Sequence, residues 1–133
     1  MSGRLIAPGR ARAPALVLDE PLSLWGGMDP ATGRVIERRH PQHGAVVTGR
    51  ILVLPAARGS SSSASVLAEA VRAGTAPAAI VLGETDLILA LGAAVAEELY
   101  GLQLPIVVLP PADLAAIRDG AIVDIGPESA LAV

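Results

Sequence analysis

Apolar and polar positions change rhythm along this chain at about residue 66. Before that point, short apolar runs are separated by clusters of turn formers. Ala15-Leu-Val-Leu18 predicts a strand, Asp19-Glu-Pro21 a break, and Trp25-Gly-Gly-Met-Asp-Pro-Ala-Thr-Gly33 an ordered loop. Val35-Ile36 predicts a brief extended piece, Arg38-Arg-His-Pro-Gln-His-Gly44 a polar loop, and Ala45 to Leu54 a buried strand. From Val66 onward helical spacing takes over. Val66, Leu67, Ala70 and Val71 predict a helix over about Val66 to Ala73, with Gly74 where a C-cap belongs. Ala78-Ala-Ile-Val-Leu82 follows Pro77 as a strand, and Ile88, Leu91, Val95 and Leu99 trace one face of a second helix closed by Gly101. Ile106-Val-Val-Leu109 predicts another strand, Pro111 to Arg118 a short helix, and Ala121 to Ile125 a last strand. A β-rich first half and an alternating second half, with no internal repeat or linker, predict one mixed α/β layered domain over residues 1–133.

Composition narrows the core and the function class. Hydrophobic residues make up 52% of the 133, yet aromatics are only 2%, so Ala, Val, Leu and Ile must fill the interior. All the basic residues are Arg, and with the abundance of Ala this points to a GC-rich bacterial genome rather than to a mechanism. The net charge of −3, with Arg38-Arg39 after Glu37 as the one basic pair, argues against a nucleic-acid binder. The absence of cysteine removes disulfides, thiol chemistry and thiolate ligation of an iron–sulfur cluster by this chain. The apolar stretch from Ala78 to Leu109 is interrupted by Glu84, Asp86, Glu97, Glu98 and Pro105, so it predicts no membrane span. The N-terminal region lacks the apolar centre of a signal peptide, and a cytoplasmic location is the expectation.

The stretch richest in candidate chemistry is Pro55 to Leu67, Pro-Ala-Ala-Arg-Gly-Ser-Ser-Ser-Ser-Ala-Ser-Val-Leu. A strand-like run delivers the backbone into Gly59 and four serines, then into a helix. Hydroxyls and free N–H groups thereby gather at a helix N-terminus, where anions are favoured. A flexible linker or simple N-capping is the competing structural reading. His40 and His43 form a His-x-x-His pair, but a metal site needs about three or four ligands, and only Asp29 or a partner chain stands ready to complete one. A loop role is therefore expected, with no metal in this chain and a phosphohistidine carrier as a separate alternative. Asp29 with Pro30 and Gly33 is also a turn signature. Glu84 and Asp86 follow a predicted strand end, where ligands collect in α/β folds, although helix N-capping by Thr85 or Asp86 is the reading the sequence favours. Trp25, before two glycines, suits an interface or the core. No Walker-type phosphate loop and no Gly-x-Ser-x-Gly elbow occurs.

Three blocks resemble the small, swivelling domain of aconitase X proteins: Trp25 to Gly44, the loop Arg58-Gly59-Ser60, and Ala79-Ile-Val-Leu-Gly-Glu-Thr-Asp-Leu-Ile-Leu-Ala90. Together they span about Leu16 to Leu109. The resemblance implies a swivelling β/β/α domain of the aconitase type, acting as the small subunit of a two-part hydro-lyase. It implies a Cys-containing large subunit that holds an iron or iron–sulfur centre, with no cofactor in this chain. It assigns Ser60 as proton acceptor, with Arg58, Gly59, Ser61 and Ser62 around the substrate. Better-known aconitases have Arg where Ser62 stands, so carboxylate recognition by that Arg does not carry over. Asp29, His40, His43, Trp25, Glu84 and Asp86 are expected at the subunit interface or cleft. Bacterial members resemble cis-3-hydroxy-L-proline dehydratases, which form Δ1-pyrroline-2-carboxylate, and archaeal members resemble mevalonate 5-phosphate dehydratases. The Arg- and Ala-rich composition favours the first. A non-catalytic carrier module and an aconitase-like isomerase are the other readings.

Overall fold

Residues Ile51–Leu54 and Ala79–Leu82 are buried without exception, and runs of this kind are stable only where both faces of a sheet are covered. The computed structural model describes Met1 and residues 3–58, 61–126 and 131–132. In chain order the first elements are strands β1 (Arg4–Ala7), β2 (Ala11–Val17) and β3 (Leu22–Ser23), the single kinked turn α1 (Leu24–Gly27), and β4 (Met28–Asp29) with β5 (Arg34–Val35). Then come β6 (Ile51–Leu54), β7 (Ala57–Arg58), helix α2 (Ser62–Ala73), β8 (Ala79–Leu82) and helix α3 (Leu87–Tyr100). The last elements are β9 (Ile106–Val108), helix α4 (Pro111–Ala116), β10 (Ile122–Ile125) and β11 (Leu131–Ala132).

Seven strands form one sheet in the order β1-β9-β8-β6-β2-β10-β11, in which β2, β6, β8 and β9 run parallel. The period of two along each strand separates two cores. Leu52, Leu54, Ile80 and Leu82 face α2 and α3 and pack with Leu67, Val71 and Leu89. Ile51, Val53, Ala79 and Val81 face the other way, toward Val107, Val123, Ile125 and Ile117. That second face is covered by the sheet's own curl. The two ends of the sheet meet, because Leu131 N–H donates to Met1 O at 2.9 Å and the Met1 amino group donates to Leu131 O at 3.1 Å. This one backbone pair joins the two ends ahead of β1.

The α/β class and the alternating second half follow the sequence pattern, but three expectations are corrected and two strands are added. The strand expected from Ala45 begins at Ile51, because Val35 N–H donates to Ala45 O and Val47 N–H to Gly33 O, which ties this segment to the β4–β5 hairpin. Helix α2 starts at Ser62 rather than near Val66. Its first turn carries no large apolar residue, so apolar periodicity cannot register it. The added strands, β1 on β9 and β11 on β10, lie at the two ends of the sheet and are too short to show a pattern. On α3, the buried stripe is Leu89, Gly92, Ala93 and Ala96, while Leu91 and Leu99 are exposed. The helix turns its small residues inward because α2 lies close: a Cβ on Gly92 would stand 2.8 Å from Ala64 O. Both long helices end where expected, with Gly74 and Gly101 in the left-handed region. No described helix is long and apolar enough to cross a membrane.

Gly92→Ala separates local propensity from packing. Propensity alone would stabilise α3 by about 1 kcal/mol. The contact with Ala64 should reverse the sign and destabilise the protein by about 1–3 kcal/mol in urea denaturation, and a more stable variant would show that the helices approach less closely than described.

Candidate active site

Parallel strands place the carboxyl ends of β2, β6 and β8 at one edge of the sheet, and the N-termini of α2 and α3 rise from that edge. The backbone leaves β6 at Leu54, passes Pro55 and Ala56, and pairs as β7 with β3 in the register Leu22 to Ala57 and Ser23 to Arg58. This pairing carries Arg58 to the mouth of the serine stretch. Gly59 and Ser60 lie outside the described residues. Ser61 is the N-cap residue of α2 and makes no side-chain cap, and Ser61 and Ser62 are both exposed. The first turn of the helix contains no acidic residue, so no side chain of that turn opposes the positive end of the helix. Ser63 is buried, and its Oγ accepts a hydrogen bond from Trp25 N–H at 3.3 Å. The Trp25 side chain, 60% exposed, therefore stands beside the start of α2.

A polar cleft of about 210 Å3 opens next to Arg58, lined by Glu20, Ser23, Glu37, Arg39, His40 and Arg58. Its wall is held by His40, a buried polar residue with both ring nitrogens engaged. Gln42 N–H donates to Nδ1 at 3.0 Å, which leaves Nε2 as the protonated nitrogen, directed at Glu20 O at 3.1 Å. The Gln42 side chain extends the clamp: its Nε2 donates to Asp19 Oδ2 at 2.8 Å and its Oε1 accepts from Asp19 N–H at 3.1 Å. The loop over residues 37–44 is thus tied to the segment that leaves β2. With no free nitrogen, His40 offers nothing to a metal or a phosphoryl group.

The other residues singled out from the sequence are spread more widely. His43 is exposed on the same loop. Asp29 Oδ1 accepts from Ala31 N–H at 2.9 Å and so closes the β4–β5 turn. That turn reaches the far end of α2, where Thr75 Oγ1 donates to Pro30 O at 2.6 Å. Twelve helical residues span about 18 Å, so Asp29 is remote from the serine stretch. Asp86 is the N-cap of α3, accepting from Leu89 N–H at 2.9 Å. Glu84 lines a second, mainly apolar recess of about 570 Å3 at the strand ends, with Leu18, Leu54, Pro55 and Leu114. Among the described residues no group of three His, Cys, Asp or Glu side chains converges on a metal site.

The family profile of the aconitase X swivel domain matches residues 1–133. The chain belongs to that family. A cis-3-hydroxy-L-proline dehydratase of Pseudomonas aeruginosa is 50% identical over 106 residues, which cover 80% of this chain and 18% of that protein. The phosphomevalonate dehydratase small subunit of Methanothermobacter thermautotrophicus is 40% identical over 116 residues, 87% of this chain and 84% of that subunit. The crystal structure of Thermococcus kodakaraensis aconitase X in its holo form superposes with a TM-score of 0.86 at 31% identity, over 98% of this chain and 93% of that one. This swivel domain thus spans less than a fifth of the Pseudomonas dehydratase and most of the archaeal small subunit.

In this swivel domain the fold brings Trp25, Arg58, Ser61 and Ser62 to one edge and sets His40 behind the adjoining cleft. Sequence reading passed over Ser63, Gln42, Asp19, Glu20, Glu37 and Arg39. Asp19 and Glu20 registered only as a break and Glu37 with Arg39 only as a run of charge, because their place on one cleft comes from segments distant along the chain. The His40 clamp is testable. His40→Ala removes two hydrogen bonds from a buried position and should cost about 1–3 kcal/mol in chemical denaturation. An unchanged midpoint would mean that the ring's partners contribute nothing.

Proposed function

We propose that this chain is the small, swivelling part of a two-part hydro-lyase that dehydrates cis-3-hydroxy-L-proline to Δ1-pyrroline-2-carboxylate. The observation that carries this reading is the 50% identity to the Pseudomonas hydroxyproline dehydratase, against 40% to the phosphomevalonate dehydratase small subunit. Phosphomevalonate dehydration is the second reading, favoured by the match over 84% of that subunit's length.

In the proposed reaction Ser60, as an alkoxide, takes the proton from C2 of the substrate. The C3–O bond breaks, and the hydroxyl leaves as water with a proton from an acid on the large part. The C2=C3 enamine then shifts a proton from nitrogen to C3 and becomes the cyclic imine. Serine in water is too weak a base for the first step. The N-terminus of α2, whose first turn carries no acid, and the cation of Arg58 favour the charged form, and closure against the partner would exclude water from it. The chain has no cysteine, and the described residues assemble no metal ligand set, so they do not fit an iron centre. We assign any iron or iron–sulfur centre to the large, Cys-containing part.

Anaerobic co-purification with that partner, followed by parallel assays of cis-3-hydroxy-L-proline and mevalonate 5-phosphate, tests the reading. Turnover of the first alone is expected, and turnover of the second alone would replace the substrate. In the assembled enzyme Ser60→Ala should abolish activity without loss of the complex, and retention of a tenth of the rate would remove Ser60 from its role. Trp25, the one tryptophan of the chain, reports assembly directly. Its emission should shift to the blue when a Trp-free variant of the partner is added, and an unchanged spectrum would place Trp25 away from the interface.

A further inference from the structure

The polar cleft beside Arg58 presents two guanidinium groups, Arg39 and Arg58, and two carboxylates, Glu20 and Glu37. All four residues are exposed at its rim. No hydrogen bond or ion pair among the described residues engages any of these four side chains. The ion pair among the described residues is Arg72 with Glu69, on the outer face of α2. The cleft therefore gathers both signs of charge in equal number without letting them neutralise one another. Its backbone is held rigid from behind by the buried His40 and by the Gln42–Asp19 clamp. The cleft of about 210 Å3 leaves room for a ligand beside these side chains.

We infer that this cleft is the recognition site for a zwitterion, an α-amino or α-imino acid, with Arg39 and Arg58 on its carboxylate and Glu20 and Glu37 on its ammonium group. Charge complementarity selects this class. An acid that also carries a phosphate would satisfy the two arginines but would bring its anionic groups against Glu20 and Glu37, and like charges at close range discriminate strongly between ligands. A volume of about 210 Å3 suits one small amino acid. The position suits the chemistry as well, since Arg58 lies two residues before Ser60, a reach of at most about 7 Å along the chain. The inference rests on the dehydratase reading for the placement of the reacting carbon. It goes beyond that reading in naming the residues that distinguish an amino acid from a phosphorylated acid.

The test is calorimetric titration of the assembled two-part protein with L-proline and with cyclopentanecarboxylate, which differ in the charged ring nitrogen. The wild type should bind L-proline more tightly. Glu20→Gln and Glu37→Gln, singly and together, should weaken L-proline by about tenfold, the scale of one lost charge-assisted hydrogen bond, and leave cyclopentanecarboxylate within about twofold. Arg39→Gln should weaken both ligands alike. A preference for L-proline that survives in the double Glu variant, or a wild type that binds neither ligand, overturns the assignment. Turnover is measured separately on the same preparations. Hydroxyproline turnover that is indifferent to the Glu variants overturns the cleft and leaves the dehydratase reading intact. Glu-dependent L-proline binding without hydroxyproline turnover does the reverse.

Discussion

The burial of both faces of β6 and β8 is the constraint on which the rest of the structure depends. Each strand is only four residues long, and every one of those residues is buried. A parallel pair of this kind cannot be joined by a hairpin, so a helix must cross over one face. The other face, lined by Ala, Val and Ile, then needs a cover that no further long helix supplies. The curl of the sheet, sealed where Leu131 meets Met1, meets that need.

Function follows from the direction of those strands. Parallel strands end together, so the segments that leave β2 and β6 emerge as neighbours. The first contributes Asp19 and Glu20, and the second contributes Arg58 and the serine stretch. The loop carrying His40 bridges back to the first segment through the buried imidazole and the Gln42 amide. Helix α2, docked against α3 through Gly92, presents its N-terminus, with no acid in the first turn, at the same edge. Packing below and polar clamps above thus order the backbone that carries Glu20, Glu37, Arg39 and Arg58.

The parts of this arrangement differ in how far they can be read from sequence. The strands Ala79–Leu82 and Ile106–Val108 and the ends of both long helices were legible, because apolar runs and C-cap glycines are local signals. The start of α2 was not, since its first turn is made of serine and alanine. The buried face of α3 was misjudged because periodicity weights the largest side chains, and the close approach of α2 admits only the smallest. The long block from Trp25 to Gly44 was legible as a family resemblance. Its internal division of labour was not: Asp29 closes a turn at the far end of α2, whereas His40 locks the cleft.

By itself, then, the sequence determined the α/β class, the order of the central strands and helices, and a serine stretch entering a helix. Each of these depends on neighbours within a few residues, where local sterics and hydrophobic spacing dominate. Tertiary structure alone decided which side chains meet. Glu20, Glu37, Arg39 and Arg58 are separated by up to 38 residues of chain and converge on one cleft. They do so because β3 pairs with β7 and His40 reaches back to Glu20. Contacts of that range arise from strand register and buried hydrogen bonds, and neither leaves a periodic mark in the sequence.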